Sequence, residues 1–178
     1  MRDFGKFIAA FLISLLAVLP AGAAEGDMTV GRLDEIITAL NPDAERPGGG
    51  TAWRFELDGV RPTVIADAKH DRMRILVAVA RADTLSPAAL VRIMQANFDT
   101  ALDARYAIAK DIVWAAYIHP LSPLRAKQFV SALGQTVTLA KTFGTTFTSG
   151  GLTFGGGDSR GILKDRLLDI LKKKGIEI

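Results

Sequence analysis

The chain has 178 residues, of which 49% are hydrophobic and 23% charged, with a formal net charge of +3 and no cysteine. This length suits one domain with its own core plus appendages, and the apolar share excludes disorder throughout the chain. The lack of cysteine excludes disulfides, thiol catalysis and thiolate metal sites.

The first residues have the pattern of a secretory signal peptide. Two basic residues precede an apolar run at 7–19, and small residues follow it. The run is shorter than the roughly 20 residues that a membrane-spanning helix needs, although a retained anchor is the alternative. We therefore predict a signal peptide at 1–23, cleaved near Ala23 or Ala24, and a mature protein that is periplasmic or secreted.

The remaining charge does not suggest a nucleic-acid partner. Loss of Arg2, Asp3 and Lys6 with the leader would remove one of the three net positive charges. Nucleic-acid-binding domains usually carry a dense basic stripe, and the body of this sequence has none.

A helix and three strands are predicted first in the domain at 24–147. Leu33, Ile36, Ile37 and Leu40 recur at helical spacing and precede a stop at Asn41-Pro42. Alternating residues from Trp53 to Asp58 then predict a strand, and Asp58-Gly59 predicts a tight hairpin turn. Further strands at Pro62–Ala66 and Met73–Ala80 complete an antiparallel meander.

The second half of the domain reads as helix, two strands and helix. Ser86-Pro87 and Ser122-Pro123 each have the composition of a helix start. Between the two helices lie strands at Tyr106–Lys110 and Ile112–His119, the second apolar on both sides and hence central or covered. The predicted fold class is α+β, an antiparallel five-stranded sheet packed by helices in the order α-β-β-β-α-β-β-α.

A tail follows the domain. Residues 148–160 are rich in Gly, Ser and Thr and predict a flexible linker, and 161–178 predict an amphipathic helix. The residues proposed for partner binding on this helix are Leu163, Leu167, Ile170, Leu171, Lys172 and Lys173. The helix could dock a partner, contact anionic lipid, or fold back on its own domain.

Four segments resemble a known family. They are Ile93-Met94-Gln95-Ala96-Asn97-Phe98, Tyr106-Ala107-Ile108-Ala109, the strand from Ile112 to Ile118, and His119-Pro120-Leu121-Ser122. With the element order, they resemble the type III secretion chaperones and the related YbjN-like proteins over roughly 29–147. The resemblance implies a non-enzymatic protein, often dimeric, that holds an extended segment of a partner. The predicted export signal departs from those cytoplasmic chaperones.

Few residues suggest chemistry. His70 lies near Asp67 and Asp71, and His119 ends a strand, whereas a metal site needs three or four converging ligands. The glycine clusters lack the lysine or the spacing of phosphate-binding loops. Asn97 interrupts an apolar helical stripe, as a ligand contact or as an amide satisfied by nearby backbone.

We therefore expect no cofactor, no metal and no catalytic residue. The leading hypothesis is an exported, chaperone-like protein that binds a protein or peptide partner, with a homodimer as a further expectation. One alternative is an envelope structural protein whose tail helix makes weak contact with an anionic membrane surface. Another is a hydrolase whose site is hidden from sequence reading.

Overall fold

A computed structural model describes residues 26–99, 101–144 and 161–178. The predicted α+β class and element order are confirmed. The elements are α1 (Val30–Leu40), β1 (Ala52–Arg54), β2 (Thr63–Asp67), β3 (Arg72–Arg81), α2 (Pro87–Asp99), β4 (Arg105–Ala109), β5 (Ile112–His119), α3 (Ala126–Lys141) and α4 (Ile162–Lys173). The predicted signal peptide at 1–23 and the predicted linker at 148–160 both lie outside the described residues. Within the described ranges, no helix is both long and apolar enough to cross a bilayer.

The five strands form one antiparallel sheet in the order β1-β2-β3-β5-β4. The predicted meander is confirmed, and β5 lies between β3 and β4, as expected of a central strand. Asp58 and Gly59 both have positive φ, at 53° and 83°, which is the backbone that a tight hairpin turn requires. The chain thus reverses where the sequence predicted.

All the described helices pack on one face of the sheet. One apolar cluster joins α1, α3 and α4 to buried residues of β1, β2 and β3, and a second joins α2 and the end of α3 to β3, β4 and β5. Side chains alternate along a strand, so the other residues of each strand point away from the helices. That second side, which we call the open face, has no described element packed on it.

The first strand is shorter than predicted. It ends at Arg54, which pairs with Thr63, instead of continuing to Asp58. The next pair would be Phe55 with Pro62, and Phe55 N–H does donate to the Pro62 carbonyl at 3.3 Å. Proline has no N–H to return the bond, so the ladder is interrupted there and resumes only in the bridge between Leu57 and Val60.

The start of α3 is also a correction. The prediction placed it at Ser122-Pro123, but the helix begins at Ala126 after an Arg125 cap. Asp71, in the turn between β2 and β3, accepts the Ser122 N–H at 2.7 Å and the Ser122 hydroxyl at 3.1 Å. With its hydrogen-bonding groups engaged there, Ser122 anchors a loop instead of capping a helix.

Replacing Asp71 by Asn should make the free energy of unfolding depend less on pH in the acid range. The Ser122 backbone N–H holds the Asp71 pKa below its ordinary value of 3.8, so the charged carboxylate stabilises the fold above that value. This contribution is lost as pH falls through the lowered pKa. Urea unfolding from pH 7 to 2 should show a wild-type advantage that shrinks below about pH 4. A difference independent of pH would contradict this account.

Candidate partner-binding surfaces

The tail helix α4 lies against its own domain. Leu167 and Leu171 are 1% and 0% exposed and belong to the same apolar cluster as α1 and α3. Leu163 and Ile170 are half-buried, whereas Lys172 and Lys173 are exposed. Of the three sequence readings, folding back on the domain is the arrangement in this structure. A short amphipathic helix is marginal alone in water, and here the core covers its apolar side.

Two contacts fix α4 to the domain. Gly134 of α3 comes close to α4, because a Cβ there would lie 3.6 Å from the Lys164 backbone nitrogen. Asp58, in the first hairpin turn, binds Lys141 of α3 at 2.5 Å and Arg166 of α4 at 3.4 Å. These cations hold the Asp58 pKa below its ordinary value, the Lys141 hydrogen bond being the main cause.

The partner-binding role predicted for α4 stays a prediction. A partner that used Leu167 and Leu171 would first have to displace the helix from the core. The predicted contact with an anionic membrane surface also stays a prediction, and Lys172 and Lys173 are the features of α4 that remain available for it.

The β4 edge of the sheet is capped by side chains. The Asn97 side chain accepts the Tyr106 N–H at 2.7 Å and donates to the Tyr106 carbonyl at 3.0 Å. At Ala104, the N–H donates to Gln135 at 3.4 Å and the carbonyl accepts from Arg105 at 2.9 Å. Asn97 is therefore an amide satisfied by nearby backbone, the second of the two sequence readings. Its amide occupies the backbone N–H and carbonyl of Tyr106, to which another strand could otherwise hydrogen-bond at this sheet edge.

The β1 edge is covered by the chain itself. Glu45 and Arg54 exchange two backbone hydrogen bonds, both 2.9 Å long. Because both sheet edges are engaged at these positions, a partner strand cannot pair there without displacing existing bonds. Helix and sheet faces are therefore the better candidates for recognition.

The first such candidate is an apolar side of α2 next to β4. Val91, Met94 and Phe98 recur at helical spacing and are 58%, 50% and 74% exposed, and Ile108 of β4 is 49% exposed. We call these four residues the α2–β4 surface. Exposed clusters of large apolar side chains commonly mark interaction sites.

The position of α2 explains why these residues are neighbours. Ala82, just before α2, donates its N–H to the Asp111 carbonyl in the β4–β5 turn, and Asn97 near the helix end binds Tyr106. The helix therefore runs along β4. Its inner side buries Ile93 and Ala96, and its outer side carries the exposed stripe.

The helical spacing of Ile93, Met94 and Phe98 predicts one shared apolar face, which is core in the first instance with any surplus as an interface. The structure buries Ile93 and exposes Met94 and Phe98. Val91 is the sequence signal that could have distinguished the exposed residues from the buried Ile93. It extends the apolar surface of α2 beyond the side that one contact with the core would cover.

The second candidate is the open face of the sheet. Strand pairing places three rows across it: Arg54, Thr63, Leu76, Ala116 and Arg105; then Ile65, Arg74 and Ile118; then Ala78, Trp114 and Ala107. Ile118 is 60% exposed and Trp114 is half-buried. Apolar and cationic side chains thus share this surface.

The histidines are not brought together into a reactive site. His70 Nδ1 lies 2.7 Å from Asp67 Oδ2 in an exposed turn, and His119 Nδ1 lies 2.7 Å from the Pro120 carbonyl. Hydrogen bonding to His70 lowers the Asp67 pKa. Within the described ranges, no three His, Asp or Glu residues converge as metal ligands.

Solved structures similar to this chain were found, although comparisons of its sequence found no match. No family model matches this sequence, and no curated protein matches it. The chaperone SycH of Yersinia pestis, solved with a stable fragment of YscM2, shares 20% identity and a TM-score of 0.49, covering 65% of this chain and 99% of that chain. This chain is similar to type III secretion chaperones.

A second similar structure is the HopA1–SchA chaperone–effector complex. Its matched chain shares 10% identity and a TM-score of 0.49, with 64% of this chain and 90% of that chain covered. The sequence predicted a resemblance to type III secretion chaperones, and both structures are of that family. The YbjN-like part stays a prediction. A likeness at this level assigns neither a partner nor an activity to this chain.

Proposed function

We propose that this chain is a non-enzymatic, chaperone-like protein that holds a protein or peptide partner, and that two copies associate through the α2–β4 surface. The observation that carries the proposal is the exposed stripe of Val91, Met94 and Phe98 on α2. These side chains are large and lie outside both apolar clusters, so they do not contribute to the core of one copy.

The geometry of α2 suits a symmetric pair. A two-fold dimer brings the same patch of both copies together, so each exposed side chain of the α2–β4 surface is buried twice. Full burial of one such side chain contributes about 1.5–3 kcal/mol. Because hydrogen bonds already engage the neighbouring sheet edge, the second copy would dock by side-chain packing.

Replacing Phe98 by Asp should dissociate the dimer. The dissociation constant should rise about a hundredfold, because each of the two copies loses one apolar contact and gains a charge. Sedimentation equilibrium over a range of protein concentrations measures this change. Ile162→Asp is the matched control, since Ile162 is 70% exposed but lies on α4. A wild-type protein that is monomeric throughout, or equal effects of both variants, would refute the proposed self-association.

We further propose that the protein works in the periplasm or outside the cell. The support is the pattern of basic residues, apolar run and small residues at 1–23. Mass spectrometry of the protein isolated from cells should find a chain that starts at Ala24 or Glu25. A chain that still starts at Met1 would be inconsistent with cleavage and would support the retained anchor.

A further inference from the structure

The charge on the open face is unbalanced. Four arginines point from it, Arg54, Arg72, Arg74 and Arg105, and no ion pair among the described residues includes any of them. Three of them donate to neutral oxygens, of a threonine hydroxyl or of backbone carbonyls. Arg72 lies across from Asp67 in the strand pairing, and its charge helps to lower the pKa of Asp71. Among the described residues, Arg54, Arg74 and Arg105 are therefore the arginines of this face without a carboxylate partner.

Acidic residues are nearly missing from the strands that form this face. Within β1 to β5, Asp67 is the one carboxylate, and its oxygens already accept from the backbone and ring of His70. Other cations of the chain, such as Arg61 and Lys141, do have acidic partners. The open face is thus a cationic surface within a chain of small net charge.

Large apolar side chains lie between these arginines. Leu76 occupies the row between Arg54 and Arg105, and Ile65 and Ile118 flank Arg74 across the strands. A half-open depression of about 380 Å³ lies at one end, where Ile65, Arg72 and Arg74 line it together with Asp67 and His70. The face therefore offers apolar contact and guanidinium groups side by side.

We propose that the open face binds an extended segment of a partner protein that carries both Asp or Glu and apolar residues on the side that faces the sheet. This inference deepens the proposed function, since it states the chemistry of the partner. The carboxylates of the segment would pair with the arginines, whose planar guanidinium matches a carboxylate with two parallel hydrogen bonds. Its apolar side chains would cover Ile65, Leu76 and Trp114.

The dimensions of the face suit a short segment. Arg54 and Arg105 are separated by four steps between neighbouring strands, or roughly 19 Å at the usual strand spacing. An extended peptide covers this distance with about six residues. Alternate side chains of an extended chain point the same way, so three or so of them would reach the sheet.

A protein segment fits better than nucleic acid or membrane. Sheets that bind single-stranded nucleic acid stack successive bases on aromatic side chains, whereas this face has one tryptophan among aliphatic residues. Membrane-surface binding by a cationic element commonly uses an amphipathic helix that lies in the interface, with Lys or Arg on its polar side. Here the cations are spread across a sheet.

The test is a peptide-binding titration of the purified protein by fluorescence anisotropy. The probes are three labelled peptides with serine at every second position, so that the other positions share one side of the extended chain. Those positions alternate valine with glutamate, glutamine or lysine. Trp114 fluorescence gives a second readout at the face itself, because the other tryptophan, Trp53, is fully buried. The variant is the double substitution Arg74→Gln with Arg105→Gln, and the control is Lys172→Gln with Lys173→Gln on α4.

We expect the glutamate peptide to bind most tightly and to quench Trp114. The arginine double variant should weaken its binding about tenfold at low ionic strength, and added salt should shrink this difference. The lysine double variant should bind like the wild type. Equal affinity for the three peptides, or an equal loss in both double variants, would overturn the inference.

Two further probes address the rival ligands. Vesicles of equal parts phosphatidylglycerol and phosphatidylcholine, and a single-stranded oligonucleotide, should bind no more tightly to the wild type than to the arginine double variant. Binding of either one through these arginines, without binding of the glutamate peptide, would overturn the proposed partner chemistry. If the peptide fails while Phe98→Asp still dissociates a dimer, the inference fails and the proposed self-association stands.

Discussion

Replacing Leu171 by alanine is expected to lower the free energy of unfolding by about 2–5 kcal/mol, the range for large-to-small changes in a packed core. Leu171 is fully buried although it lies on a helix near the end of the chain. Its side chain packs in the cluster that α1 and α3 share. Urea unfolding followed by circular dichroism measures the change.

The control for Leu171 is Ile162→Ala in the same helix. Ile162 is largely exposed, so its truncation should change stability by less than about 0.5 kcal/mol. If both variants were equally stable, α4 would not be docked in solution. In that case its apolar side would be free, and the partner-binding role predicted for Leu163, Leu167, Ile170 and Leu171 would regain support.

Replacing Trp53 by alanine should destabilise the protein by about 3–5 kcal/mol, because the largest buried side chain would leave a cavity. Trp53 is 0% exposed, and its indole N–H donates to Asp34 of α1 at 2.7 Å. The guanidinium of Arg46 lies 5.0 Å from the ring centroid and also binds Asp34. The Trp53 side chain thus joins β1 to α1 and to the loop between them.

Trp114→Ala is the matched control for Trp53. Trp114 is half-buried on the open face, and its indole N–H donates to the Ala109 carbonyl at 3.1 Å in an exposed position. Its loss should cost clearly less stability than the loss of Trp53, as judged by urea unfolding. The packing account would be refuted if Trp114→Ala were the more destabilising of the two.

The two proposed surfaces differ in the partner that each can accept. The α2–β4 surface is formed by Val91, Met94, Phe98 and Ile108, so it favours an equally apolar surface such as that of a second copy. The open face combines arginines with aliphatic side chains, so it favours an acidic segment. Because they involve different residues, substitutions at one surface should leave binding at the other unchanged.

Local patterns were sufficient to predict most of the elements. The apolar spacing of α1, the Ser86-Pro87 start of α2 and the Asp58-Gly59 turn depend on residues a few positions apart, whose conformations they restrict directly. The Ser86 hydroxyl does cap α2, accepting the Ala89 N–H at 3.2 Å. Such signals need no knowledge of the rest of the chain.

Predictions failed where distant residues compete for the same groups. Ser122 has the composition of a helix cap, but Asp71 takes its hydrogen bonds from 51 residues away. For the stripe of α2, the sequence predicts core in the first instance and an interface for any surplus, because periodicity shows that a face is apolar without showing what covers it. The same ambiguity applied to α4, for which sequence reading left three arrangements open.

By itself, the sequence determined the α+β class, the order of the elements, the main turns and the lack of thiol chemistry, since these follow from composition and from neighbouring residues. The tertiary structure decided the rest: Leu171 became a core residue, Asn97 became the cap of β4, and four arginines came together on one side of the sheet. Strand order and helix docking bring together residues that are far apart in the chain. Burial and charge pairing depend on those contacts, so local patterns do not specify them.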